Sequence, residues 1–239
     1  MAQAVAIPVR RGGLESRVEE IRFLVFGRAL PAVLFALLGY RVFTNLLSQI
    51  HDLPKHDQVG GILAGPLTTG VYLAFCVIPV GIYLVRPRPK ARDGRMIARA
   101  AGLVGTTMLL VVGAFPLPVI LVPPALIRDA AVPLTLGAFS LGVYGLLYLR
   151  RSLSIIPEAR RLVTGGPYRV VRHPLYAAEI LAAVAFVLAR PGLWATLTLG
   201  PFIVVQMLRA RFEEGLLRRT FPDYARYAAH TARLIPFVW

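Results

Sequence analysis

The sequence predicts an all-α integral membrane protein with about four transmembrane helices, a C-terminal helical hairpin and a polar segment on the cytoplasmic face. Three observations predict it. The 239 residues are 56% hydrophobic and only 16% charged, with a mean hydropathy of +0.64, too apolar for an ordinary soluble domain. Apolar runs recur at close to the length that crosses a bilayer, about 20 residues. The arginines cluster between these runs, as topology signals do. A formal charge of +15 suggests nucleic acid in a soluble chain, but here it orients the protein and meets anionic lipid headgroups, so no nucleic-acid partner is expected. The single cysteine, Cys76, lies in an apolar run and rules out a disulfide framework or cysteine metal cluster.

Residues 1–22 form a polar leader carrying Arg10, Arg11, Arg17 and Arg22 with Glu15, Glu19 and Glu20, read either as an amphipathic surface helix or as solvated chain. The apolar runs follow at Phe23–Leu47, Ile62–Val85, Ala100–Val122 and Val132–Leu149. The first is read as a permanent span, because no cleavable signal pattern precedes it. Arg28 is expected to snorkel to the interface. Pro31, Pro79, Pro116 and Pro118 kink or end helices, which membranes tolerate when neighbours satisfy the freed carbonyls.

The connections alternate in charge. The leader is basic, Ser48–Gly61 has only Lys55, Arg86–Arg99 is strongly basic, and the third connection has Arg128 beside Asp129. After the fourth run come Arg150, Arg151, Arg160 and Arg161. The alternation places both termini, the second connection and the segment after the fourth run in the cytoplasm. Pro174–Arg211 is apolar and broken at Arg190-Pro191-Gly192, hence a hairpin with arms of about 17 residues, the low edge for spanning. The tail from Glu213 to Trp239 is polar and aromatic and is expected outside the hydrocarbon. We read one membrane domain, divided into a leader (1–22), N-terminal spans (23–150) and a C-terminal region (151–239).

The polar segment Leu162–Glu179, LVTGGPYRVVRHPLYAAE, packs arginine, histidine, tyrosine and proline beside membrane-grade sequence. Gly165-Gly166-Pro167 forbids a continuous helix. His173 precedes a proline and is biased toward extended backbone, while Pro174 suits the first position of a helix. A polar loop therefore feeds a helix N-terminus, where free N–H groups favour an anion. Taken alone, this also describes an interfacial turn with tyrosines at the headgroups.

GPYRVVRHPLY, preceded by RSLSIIPEARRLVTG and followed by RARFEEGLL, resembles the isoprenylcysteine carboxyl methyltransferases and phospholipid methyltransferases over about Leu149–Trp239. The resemblance implies an integral membrane enzyme that uses S-adenosylmethionine to methylate a lipophilic small-molecule or lipidated acceptor. It makes Leu162–Glu179 a cofactor-binding segment, with Pro167, Tyr168, Val171, His173, Pro174 and Tyr176 lining the cofactor site. Glu213 and Glu214 join them, with Glu214 toward the ammonium or ribose of the cofactor. Arg172 and Arg211 stand where the family holds the acceptor carboxylate, a role guanidinium groups suit, so isoprenylcysteine-type O-methylation is favoured. Arg172, Arg211 and Glu214 are accordingly the catalytic candidates.

The sequence departs from the family at Ala178 and Pro222, where glycine is usual. A methyl group at Ala178 narrows any close approach there. Tyr224 and Tyr227, one turn apart in FPDYARYAAH, either cover the pocket or pack. Adjacent glutamates point about 100° apart on a helix, so only one of the pair can face a given pocket. Glu158 completes the SIIPEA segment, and Glu179 is an acid within a membrane helix. His51 and His56 with Asp52 and Asp57 are too loosely spaced for a metal site, and no metal is expected. Two other function classes fit the architecture, a sterol-reductase-like enzyme using a reduced nicotinamide and a non-enzymatic transporter or scaffold.

Overall fold

The computed structural model describes residues 5–6, 14–52, 59–114 and 122–236. Helix α1 (Leu14–Arg22) continues through a π-helical stretch, Phe23–Ala29, into α2 (Leu30–His51). There follow α3 (Val59–Val85), α4 (Met96–Ala114), α5 (Ala125–Leu149), α6 (Pro174–Ala189), α7 (Leu193–Thr220) and a short α8 (Tyr224–Ala229). Among the described residues, four stretches are long and apolar enough to cross a membrane, Arg17–His51, Gly65–Val85, Ala125–Ser152 and Leu193–Thr220. They bear out the expected all-α membrane fold, with one change of membership. Three coincide with the first, second and fourth apolar runs, and the last is the second arm of the hairpin. The third run forms α4, and Pro116 and Pro118 lie outside the described residues.

Large apolar side chains stand outward along these helices. Phe26, Leu37, Val77, Leu84, Leu147, Leu197 and Val204 are all more than half exposed, a surface that water disfavours and lipid accepts. The contact between α5 and α6 is rich in small residues. Ala131, Ala138, Gly142 and Gly145 of α5 are buried, as are Ala178, Ala182, Ala183 and Ala185 of α6, and α5 packs more extensively on α6 than on any other helix. Small side chains let two backbones approach closely where no hydrophobic effect drives them together. The Ala178 methyl faces Gly142 of α5 at an ordinary contact distance, 3.6 Å from where a β-carbon there would stand, while the Phe75 ring at 2.7 Å is what requires glycine at that position.

Two further expectations change. The hairpin breaks at Arg190, but its arms are 16 and 28 residues, not about 17 each. Helix α7 runs on past Arg211 to Thr220, since FEEGLLRRT contains no proline and a single glycine is a weak stop; the polar tail therefore begins after the glutamates, not before them. Arg28 reaches toward the basic connection after α3. Its Nε and Nη2 donate to the Arg86 carbonyl at 3.1 and 2.7 Å, capping the end of α3.

Three two-residue strands tie the polar connections together. β1 (Val5–Ala6) pairs antiparallel with β2 (Ala91–Arg92), which pairs antiparallel with β3 (Glu158–Ala159). The leader, the second basic connection and the segment after α5 therefore share one end of the bundle, the grouping that the charge alternation predicts.

Candidate functional site

The polar segment folds as its glycines and prolines require. Gly166 takes φ +58°, and a β-carbon there would stand 2.6 Å from the Tyr148 ring, so only glycine fits. A 3-10 turn, Gly166–Arg169, follows. His173 then has φ −128° and Pro174 opens α6. The loop is fastened from the far end of the chain. Arg172 N–H donates to the Ala232 carbonyl at 2.8 Å and His173 N–H to Arg233 at 3.1 Å, and Val171 bridges Ala232 in parallel.

Beside this loop, α7 presents its paired glutamates to two different surroundings. Glu214 is buried and surrounded by three arginines and a histidine. Arg172 Nε lies 2.9 Å away, Arg233 Nε and Nη2 both 3.0 Å, His173 Nε2 3.3 Å and Arg218 Nη2 3.7 Å. Arg172 also donates to the carbonyls of Ala228 and Thr231. Glu213, a quarter exposed, accepts from the Tyr176 hydroxyl and has His173 Nδ1 3.7 Å away. The His173 and Tyr176 rings stack at 5.4 Å. The 100° divergence of neighbouring helical side chains has separated a clamped carboxylate from an available one.

Glu213 opens onto a cleft of about 920 Å³ of atom-free space, open mouth included. The connection between α5 and α6 lines it with Ser154, Glu158, Arg160, Arg161, Tyr168 and His173, and Tyr176, Tyr224 and Tyr227 add to the lining from α6 and the tail. The Tyr227 hydroxyl donates to the Tyr168 carbonyl at 2.6 Å and its ring meets Tyr224 edge-on at 5.9 Å, so both tail tyrosines pack and border the cleft at once. Burial, followed by the Glu213 charge, pushes the Tyr168 hydroxyl well above its ordinary value. Tyr168 therefore remains a neutral donor.

Toward the membrane end stands a polar layer between helices. Arg209 Nη1 donates to Gln206 Oε1 at 2.7 Å and lies 3.3 Å from Glu179 Oε2, while Nη2 donates to Thr106 at 3.2 Å. Its guanidinium sits 4.5 Å over the Tyr176 ring. It passes α4 at Gly105, where a β-carbon would come within 2.6 Å of Arg209 Cδ. Glu179, the membrane-helix acid, is thus paired with arginine.

Of the residues that the sequence singles out, Tyr168, Arg172, His173, Tyr176 and Glu213 come together around the cleft. Pro167, Val171 and Pro174 are buried within the loop that supports them. Glu214 is adjacent but turned into its cluster of arginines and histidine, outside the lining. Arg211 is exposed and lines nothing there, because two residues along a helix from Arg209 is the opposite face. Arg160 and Arg86 enter the sequence reading only as members of the basic connections, and Arg209 only beside Arg211 and the two glutamates in RARFEEGLL, without a role of its own. The spacing of Gln206, Arg209, Glu213 and Leu216, a single helical stripe, is the signal that finds Arg209. His51 is exposed, and His56 and Asp57 lie outside the described residues. Among the described residues no group of three His, Cys, Asp or Glu could hold a metal ion.

The fold and cleft define a polytopic membrane protein whose polar site is built at the base of a helical hairpin. Residues 135–224, which contain most of that site, match the family model of the phospholipid methyltransferases, and the resemblance read from the motifs is borne out over this segment. Two curated proteins are also similar. The cobalt-zinc-cadmium resistance protein CzcN of Cupriavidus metallidurans is 34% identical over 76 residues, 31% of this chain and 35% of that protein. The nickel-cobalt-cadmium resistance protein NccN of Alcaligenes xylosoxydans xylosoxydans is 31% identical over 80 residues, 33% of this chain and 38% of that protein. The matched stretch thus spans little more than a third of either relative.

Proposed function

We propose that this chain is an S-adenosylmethionine-dependent methyltransferase acting on a lipophilic acceptor, with an isoprenylcysteine-type carboxylate as the favoured nucleophile. The observation that carries this reading is a set of buried polar atoms without hydrogen-bond partners: Arg160 Nη1, Arg209 Nε and the Tyr224 hydroxyl. All three belong to residues lining one cleft within the methyltransferase-family segment. Buried donors left unsatisfied are costly, and a polar ligand in the cleft is what would satisfy them. The donor set fits the cofactor, with an available carboxylate at Glu213 for an ammonium and aromatic walls for a nucleoside.

When bound, S-adenosylmethionine would supply an activated methyl group for transfer to an acceptor oxygen, with S-adenosylhomocysteine as the leaving group. The residues of this chain align and enclose rather than move protons. Glu213, oriented by Tyr176 and His173, faces the cation. Pro167, Val171 and Pro174 shape the loop beneath, and Glu214 with Arg172 holds that loop to α7. A carboxylate acceptor is already ionised and needs no base, which agrees with a site whose one histidine lies between two glutamates. By the positive-inside rule the clustered basic connections face the cytoplasm, where a water-soluble donor arrives, while the acceptor reaches the cleft from lipid.

Calorimetric titration of detergent-solubilised protein with S-adenosylmethionine and S-adenosylhomocysteine tests this reading. Binding that Glu213→Gln weakens is the expected result. Folded protein that binds neither ligand, or that binds reduced nicotinamide in their place, overturns it.

A further inference from the structure

The connection after α5 carries a second charged cluster that the proposed reaction leaves without a role. Glu158 is surrounded by three arginines. Arg160 Nη2 donates to it at 2.7 Å, Arg92 Nε lies 2.8 Å away and Arg86 Nη1 3.7 Å, while Ser154 donates its hydroxyl at 2.7 Å. Three guanidinium groups on one carboxylate leave a formal surplus of two positive charges. Two of the three are buried, Arg86 at 2% and Arg160 at 5% exposure. A buried charge without a counter-charge is expensive to keep, so the surplus calls for an anion.

The structure offers a place for one. Arg160 lines the cleft; its Nε is spent on the Pro87 carbonyl at 2.9 Å and its Nη2 on Glu158, while Nη1 is buried with no partner. Arg86 stands behind it, with Nη1 on the Leu153 carbonyl at 3.0 Å, its face over the Tyr83 ring at 4.4 Å and a partnerless Nε. The neighbouring Ala159 packs against Leu216 of α7. Leu216 is one turn further along α7 than Glu213, and the arginine and the available carboxylate line the same cleft. That direction leads away from the intramembrane layer of Gln206 and Arg209, toward the end where the basic connections meet.

We propose that Arg160 receives the carboxylate of the methyl donor's amino-acid end, with Glu213 opposite its ammonium. An amino acid is a zwitterion whose ammonium and carboxylate are borne on one carbon, and a cation and an anion lining the same cleft match its two charges. This inference rests on the methyl-transfer reading and assigns one end of the cleft within it. It leaves Arg209, already neutralised by Glu179, at the end that the lipophilic acceptor enters.

The test compares two ligands that differ in the amino-acid end. Purified full chain, as wild type, Arg160→Gln and Arg160→Lys, is titrated with S-adenosylhomocysteine and with 5′-methylthioadenosine, which lacks that end. Arg160→Gln is expected to lose about tenfold or more in S-adenosylhomocysteine affinity, the worth of a charge-assisted hydrogen bond, and nothing toward 5′-methylthioadenosine, with Arg160→Lys intermediate. Equal S-adenosylhomocysteine affinity in wild type and Arg160→Gln overturns the assignment and leaves methyl transfer standing. Wild type that binds neither ligand overturns both. Should Arg160→Gln not fold, decarboxylated S-adenosylmethionine decides on the wild type, where binding as tight as that of the intact donor overturns the subsite.

Discussion

Arg172 Nε lies 2.9 Å from Glu214 Oε1 across a separation of 42 residues, and this pair fastens the polar loop to α7. The same carboxylate takes Arg233 through two nitrogens at 3.0 Å, so one buried group joins loop, helix and tail. Removing one partner of a buried ion cluster leaves the others uncompensated, at about 3–5 kcal/mol. Glu214→Gln is therefore expected to lower the unfolding midpoint in detergent and to weaken donor binding with it. A variant with unchanged midpoint and lost binding would instead make Glu214 a direct ligand.

Glu213 should behave in the opposite way. It is partly exposed, it accepts from the Tyr176 hydroxyl with His173 beside it, and it faces the cleft. Glu213→Gln is expected to keep the unfolding midpoint within about 1 kcal/mol of wild type while S-adenosylhomocysteine affinity falls about tenfold or more. Tyr176→Phe, which removes the hydroxyl that orients it, should cost about 1 kcal/mol of the same affinity. Calorimetry paired with thermal unfolding separates the two glutamates.

Arg209 and Arg211 form a second contrasting pair. Arg211→Ala, at an exposed position, should stay within about 0.5 kcal/mol in stability and leave donor binding intact. Arg209→Ala strands Glu179 and Gln206 between helices and is expected to cost about 3–5 kcal/mol; Arg209→Lys cannot reproduce its bonds to Gln206, Glu179 and Thr106 and should rescue only part. Equal losses at the two positions would contradict the placement of Arg211 off the cleft.

Glu158 gives the fold an acid sensitivity. Burial raises its carboxyl pKa, but the Arg160 charge, the Ser154 hydroxyl and Arg86 outweigh burial and hold it below its ordinary value of 4.5. A folded-state pKa below the unfolded one contributes stability that is fully present above the ordinary value and is lost as pH falls through the depressed one. Unfolding midpoints of wild type and Glu158→Gln should differ near neutrality and converge as pH falls from the ordinary carboxyl value through the depressed one. A difference that stays constant across that window would remove the carboxylate from the account.

The spans, the hairpin and its break were legible because each rests on a strong local signal. Apolar runs have a length, Arg190-Pro191-Gly192 stops a helix, and His173-Pro174 starts one. The grouping of basic connections at one end was legible from charge alternation. What the sequence does not disclose is decided by angular phase and distant partners. Nothing local distinguishes Glu213 from Glu214 until the Arg233 that claims Glu214 is placed beside it by the strand-like contact at Val171. Arg211 was singled out by its match to a motif, although its phase on α7 points it outward and gives the cleft to Arg209. Arg160 and Arg86 are 74 positions apart and meet only because β2 pairs with β3.

The unequal arms of the hairpin have a consequence for the lipid around it. At 1.5 Å per residue, α6 is about 24 Å long and α7 about 42 Å, against a hydrocarbon slab of about 30 Å. With the exposed Arg190 at one headgroup boundary, the other end of α6 falls about 6 Å short of the opposite boundary, while α7 continues well beyond it. The loop from Gly166 to His173 would then sit in a dimple of the leaflet, with α7 as a post at its edge. Lipids bordering such a dimple thin to meet it, and an amphiphile whose head rides at the water line would be lowered toward the cleft without leaving its monolayer.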